Sequence, residues 1–147
     1  MIDIKVKGQR RLLRKFNRLP SRVQKRVLRQ AVKAAGKPVI KAARAKCPTE
    51  SKLLKKSIGS KVKVYRTSGT IVLIIGPRTN YSGEFEGKKR NPKNYAHLVH
   101  DGFTTRDGRF VKGTPFLKAA HKEQKNQAIA IMKTKLRDGV TKAWKER

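Results

Sequence analysis

Few side chains in this sequence are of a type and spacing that do chemistry. His97 and His100 stand three apart, with Asp101 beside them and His121 further on. Such residues can hold a metal or exchange a proton. No cysteine or carboxylate cluster accompanies them, which favours structural or surface roles. Cys47 lies between Lys46 and Pro48, where basic neighbours would lower its pKa. No catalytic arrangement completes it, so a small packing residue is the simpler reading. Gly102, Gly108 and Gly113 do not make a phosphate loop, because no Gly-Lys-Ser/Thr follows the apolar strand. A nuclease would need clustered acidic metal ligands, and the nine acidic residues are scattered along the chain. No enzyme, catalytic residue, cofactor or metal site is predicted.

What the residues do suggest is recognition of negative charge. Lys and Arg number 39 against 9 Asp and Glu, a formal charge of +30 over 147 residues. Self-repulsion at that charge works against the compact state and favours anionic partners. Residues 1–60 hold 19 basic and 2 acidic groups, and no acidic residue occurs between Asp3 and Glu50. Arg22, Lys25, Arg26, Arg29 and Lys33 are the first candidates for contact with DNA phosphates or an acidic partner. Lys88, Lys89 and Arg90, with Lys93 and the aromatics Tyr81, Phe85 and Tyr95 nearby, are the second. A solvated face whose Lys and Arg stems cover apolar area is the alternative for the first group. Packing of the aromatics onto their own domain or a neighbouring subunit is the alternative for the second.

The elements that position these residues follow from periodicity. Ile2, Ile4 and Val6 alternate with other residues as in a short strand, and Gln9 to Asn17 reads as a short helix with Leu12, Leu13 and Phe16 on one side. The organising element is a long amphipathic helix, Ser21 to Lys46, with an apolar stripe of Val23, Val27, Ala31, Ala34, Ala35, Val39 and Ala42. Its other side carries the first basic group, continued by Lys37, Lys41 and Arg44. Ser21 and Gln24 suggest an N-cap and capping box, and Gly36 with Pro38 a kink or two helices in line. Residues 51–57 suggest a helical turn, residues 61–66 a half-buried strand, residues 67–69 a hairpin turn, and Thr70 to Ile75 a central strand covered on both faces. Residues 77–94 and 101–114 read as exposed loops, with 95–100 open between strand and helix. Thr114 as N-cap and Pro115 as first residue begin the last helix, whose apolar side is Leu117, Ala120, Ala128, Ile131, Leu136 and Val140. Gly139 weakens its end. The expected architecture is α+β: a small mainly antiparallel sheet packed against two long helices, with long exposed loops.

The length suits one domain, residues 1–147, with enough apolar content at 37% for a core. A single cysteine excludes an internal disulfide and fits assembly in a reducing cytoplasm. No apolar run approaches twenty residues, and the N-terminus has a strand pattern and not that of a signal peptide, so neither membrane span nor leader is expected.

Several short segments, taken in order, resemble the tailed-bacteriophage morphogenesis family of neck, or head–tail joining (tail completion), proteins. The opening strand followed by Leu12, Leu13, Phe16, Leu19 and Pro20 looks like that family's start. Ala45 to Ile58, through Pro48, Leu54, Ser57 and Ile58, resembles its Ala-x-x-Pro-x-x-Thr-Gly-x-Leu-x-x-Ser-Ile segment. Tyr95, Ala96 and Val99 resemble its Tyr-Ala-x-x-Val segment, and Pro115-Phe116-Leu117 the motif opening its last helix. The chain departs from the family at Glu50-Ser51-Lys52, where members have Thr-Gly, and around Gly102, where they have Glu-Phe-Gly-Thr. The resemblance implies a non-enzymatic structural protein of the virion neck or upper tail, assembled in the host cytoplasm. It would form a ring, sixfold by preference and twelvefold as the alternative, that joins head connector or closure proteins to tail terminator or tube proteins. Genomic double-stranded DNA would pass through the lumen. It also implies packing roles for Tyr95, Val99, Pro115, Phe116 and Leu117. Composition by itself points elsewhere, to a free-standing basic nucleic-acid-binding protein.

Overall fold

The computed structural model describes residues 9–48, 52–65 and 67–146. The expected strand at 2–7 lies outside them. α1 (Gln9–Asn17) leads through Leu19 and Pro20 into α2 (Ser21–Lys46), and α5 (Phe116–Lys145) closes the chain. Between them come α3 (Leu53–Ser57), β1 (Ile58–Val64), β2 (Ile71–Pro77), β3 (Gly83–Phe85), β4 (Lys88–Arg90), a 3₁₀ turn (Pro92–Asn94), α4 (Ala96–Asp101), β5 (Gly102–Thr104) and β6 (Phe110–Lys112). The fold is α+β, dominated by α2 against α5. Its strands form three separate two-stranded antiparallel ribbons, β1–β2, β3–β4 and β5–β6.

The α2–α5 pair encloses two apolar clusters. At one end Leu19, Val27 and Val140 are buried, flanked by Leu12, Phe16, Val23, Leu136, Ala143 and Trp144. The Trp144 indole N–H donates to the Lys15 carbonyl at 3.0 Å and ties the end of α5 to α1. At the other end Ala43, Cys47, Leu54, Ile58, Ala96, Phe116 and Ala120 form the larger cluster. Gly139, expected to weaken α5, is a contact point instead: a Cβ there would lie 2.8 Å from Val27 Cγ1 on α2. Gly36 plays the same part on α2, where any Cβ would collide with the Leu73 side chain of β2. These glycines let a helix and a ribbon approach α2 closely.

The caps differ from those expected. Pro20, not Ser21, is the N-cap of α2, with φ −56° and ψ 142°. Gln24 does not close a capping box; its side-chain amide donates to the carbonyls of Leu19, Phe16 and Asn17 at 2.8, 3.1 and 3.3 Å. It therefore satisfies the orphaned end of α1 and fixes the α1–α2 corner. α2 runs unbroken through Pro38 to Lys46, with Lys37 helical despite the proline after it, while Cys47 takes the extended form that Pro48 favours. Pro115 is the N-cap of α5 and Phe116 its first residue, one position later than expected.

Three other expectations are corrected. Residues 77–94 contain the β3–β4 hairpin, with Glu86 and Gly87 at φ 52° and 69° in its turn. Residues 101–114 contain the β5–β6 hairpin. β2 is not covered on both faces. It pairs only with β1 and alternates between half-buried and exposed residues, so that Ile74 remains 50% exposed. The sequence run is apolar throughout, but α2 covers one side of the ribbon and nothing among the described residues covers the other.

Candidate interaction surfaces

The motif residues come together at one end of the helix pair. α3 turns the chain from α2 into β1, which drops Leu54, Ser57 and Ile58 into the larger cluster. Ser57 is fully buried and its hydroxyl donates to the Leu54 carbonyl at 2.7 Å, so the polar group is satisfied within the turn. Two arginines brace the same junction. Arg44 donates through Nε and Nη2 to the Ile58 carbonyl at 3.2 and 2.7 Å. Arg78 donates to the carbonyls of Ser57 and Lys56 at 3.3 and 3.0 Å. Opposite them Phe116 is 1% exposed, with Tyr95, Val99 and Leu117 half-buried around it. Pro48 is half-buried at the end of α2, and Pro115 is exposed.

Gly102 and Gly113 show why this region needs glycine. Gly102 ends α4 at φ 89°, and a Cβ there would lie 2.7 Å from the Gly113 backbone nitrogen. A Cβ on Gly113 would in turn collide with the Gly102 backbone. The two strand ends cross almost in contact, and the Thr114 N–H donates to the Val99 carbonyl at 2.8 Å. The spaced glycines are thus a chain crossing and not an anion loop.

The histidines have different surroundings. His97 and His121 are exposed on α4 and α5. His100 Nδ1 lies 2.6 Å from Asp101 Oδ1, and its ring meets Phe116 edge to face at 5.5 Å. Among the described residues no three His, Cys, Asp or Glu side chains are grouped to hold a metal. Cys47 is buried, and burial pushes its thiol above the ordinary value while Lys55 opposes in part. Desolvation thus outweighs the lowering that its basic neighbours suggested.

The two basic groups have different surroundings. Arg22, Lys25, Arg26, Arg29 and Lys33 are all exposed on α2. Neither α1 nor α2 contains a carboxylate, and among the described residues Lys46 is the one α2 cation paired with a carboxylate, Glu123 of α5 at 2.8 Å. That contact holds the Glu123 carboxyl below its ordinary value, the Lys46 hydrogen bond being the main cause. The hairpin group is compensated locally. Arg90 lies 3.8 Å from Glu86 and over the Phe85 ring at 5.7 Å, and Lys89 pairs in register with Glu84. Lys88 is exposed. Tyr81 lies under the Arg78 guanidinium at 5.1 Å, and Tyr95 packs on the larger cluster.

Two apolar surfaces were not foreseen. The outer face of β1–β2 exposes Tyr65, Val72 and Ile74, and the β5–β6 hairpin exposes Phe103, Val111 and Phe110, the last 66% accessible. The first hid in a run that looked like a core strand, the second in a glycine-spaced segment that looked like a loop.

A protein-family model matches residues 10–102, from α1 through the end of α4. The chain belongs to the bacteriophage HK97-gp10-like family of tail components. No curated protein and no solved structure matches it. The match takes in α2, the α3 turn, the first two ribbons and Tyr95 to Gly102; α5 with its Pro-Phe-Leu start lies beyond it. As a tail component, the chain is a phage structural protein. No helix of its described residues is long and apolar enough to cross a membrane.

Proposed function

We propose that this tail component is a single-domain subunit, residues 1–147, of a ring in the virion neck or upper tail. The ring joins the head connector to the tail, contacting connector or closure proteins on one side and tail terminator or tube proteins on the other. It surrounds the channel through which genomic double-stranded DNA passes. Sixfold closure is the preferred order. The observation that carries this reading is tail-component membership in a chain whose longest uninterrupted basic helix face has no carboxylate on it. Two further features support it. The chain presents unlike surfaces, two apolar and one cationic, and a ring closes through heterologous contacts between unlike patches. Motif residues of the resemblance, Leu54, Ile58, Phe116 and Leu117, share one apolar cluster.

Depleting the protein during infection tests the joining role. The expected yield is DNA-filled heads and separate tails that combine when purified protein is added. A normal yield of tailed particles would contradict it.

A further inference from the structure

The charged face of α2 is built at a cost to the fold. Arg22, Arg26, Arg29, Lys33 and Lys37 succeed one another at spacings of four, three, four and four. These spacings place like charges on neighbouring turns of one face, where they repel. All seven carboxylates of the described residues lie outside α1 and α2, so nothing on either element offsets the repulsion. Arg22, Arg26 and Arg29 rim an open depression of about 500 Å³ with Val23 and Gln30. A second, of about 490 Å³, continues along the helix between Lys37, Lys41 and Lys55. Arg44 beside it is committed to the Ile58 carbonyl.

The apolar side chains Val23 and Ile40, which help line the two depressions, are half-buried beneath the cations. Every large hydrophobic side chain that the described residues expose lies on another element or loop, and none is on α2. A protein interface concentrates its energy in a buried apolar or aromatic centre, which this face lacks. A phosphate backbone needs no such centre and takes up evenly spaced cations. From Arg22 to Lys37 the helix rises about 22 Å, a length over which duplex DNA carries roughly 13 phosphates.

We propose that the Arg22–Lys37 face of α2 is a sequence-independent contact for the phosphate backbone of double-stranded DNA, and that the β3–β4 hairpin is not. The choice of DNA as the polyanion rests on the channel reading above; the choice of face rests on the charges alone. The hairpin cations Lys89 and Arg90 already have Glu84 and Glu86 beside them, so they gain less from a phosphate.

Binding of the full-length protein to a 20-base-pair duplex, titrated by fluorescence anisotropy from about 50 to 200 mM salt, tests this. Each phosphate contact contributes about 0.9 to the slope of log affinity against log salt. The variant R22Q/R26Q/R29Q should lose nearly three contacts, lowering the magnitude of the slope by about 2.7. The variant K88Q/K89Q/R90Q should keep the wild-type slope. K33Q alone, with a change of about 0.9, serves if the triple variant loses its helical circular-dichroism signal. An unchanged slope in the α2 variants, or an equal loss in the hairpin variant, overturns the assignment. Tighter binding to poly-glutamate than to the duplex at equal salt would also overturn it and assign the face to an acidic protein. The depletion experiment is independent: a joining role with no duplex binding leaves the ring and removes this contact, while duplex binding without a joining role does the reverse.

Discussion

Phe116 is the side chain on which the larger cluster turns. It is the first residue of α5, almost wholly buried, and meets the ring of His100 in the last turn of α4. Phe116→Ala should cost about 3–5 kcal/mol, the lost transfer energy plus the cavity left behind. A urea melt measures it; a loss below about 1 kcal/mol would mean that the cluster collapses onto the gap. Cys47 gives a second test. Burial favours the protonated thiol, so the folded protein should react with iodoacetamide at pH 8 more slowly than the urea-unfolded chain, and an equal rate would contradict it. The pH dependence has a definite sign. The unfolded thiol ionises first as pH rises past 9.0, so the thiol's contribution to stability is intact below that value and falls above it. Cys47→Ala should therefore flatten the alkaline fall in stability. The packing role of both residues was expected, Phe116 from the resemblance of Pro115-Phe116-Leu117 to the family's last-helix motif and Cys47 from the lack of any catalytic partner. The direction of the thiol's shift was not, because sequence shows charged neighbours but not desolvation.

Among the elements, the long helices were the plainest part of the sequence. Twenty-six residues of α2 carry one sustained period, and Pro20 and Pro48 bracket it. The β3–β4 hairpin was obscured for a physical reason, whereas β5–β6 carries a turn signal in Asp107-Gly108. β3–β4 turns through Glu86-Gly87 and not the Asn-Gly or Asp-Gly that marks such a turn. Its strands are three residues each, too short to show alternation. The exposed face of β2 was hidden because its outer residues are as apolar as its inner ones, so only the position of α2 tells them apart. Gly36 tests the helix–ribbon contact. In an isolated helix Gly→Ala gains up to about 1 kcal/mol, but here the new methyl meets Leu73. Gly36→Ala should destabilise on balance, by about 1–3 kcal/mol for the overpacking less the propensity gain. Gly76→Ala meets nothing within 4 Å and should leave the denaturant midpoint nearly unchanged. Equal effects of the two would remove the close-approach explanation.

At the scale of the whole molecule, charge is the dominant property. A formal +30 means that the folded state works against its own repulsion. Raising salt from about 50 mM to 0.5 M shortens the screening length from roughly 14 to 4 Å. The Tm should therefore rise with salt, and a fall would mean that attractive pairs such as Lys46–Glu123 outweigh the repulsion. The sequence already placed much of this charge along one side of α2, whereas its compensation in the β3–β4 hairpin emerged only from the fold.

The position of the protein in the particle is the central claim. Electron microscopy of particles carrying a small C-terminal tag tests it most directly. The account predicts ring density for the tag at the head–tail junction, with its symmetry giving the number of subunits. Tagged protein found on free nucleic acid, with no such density on the particles, would contradict it.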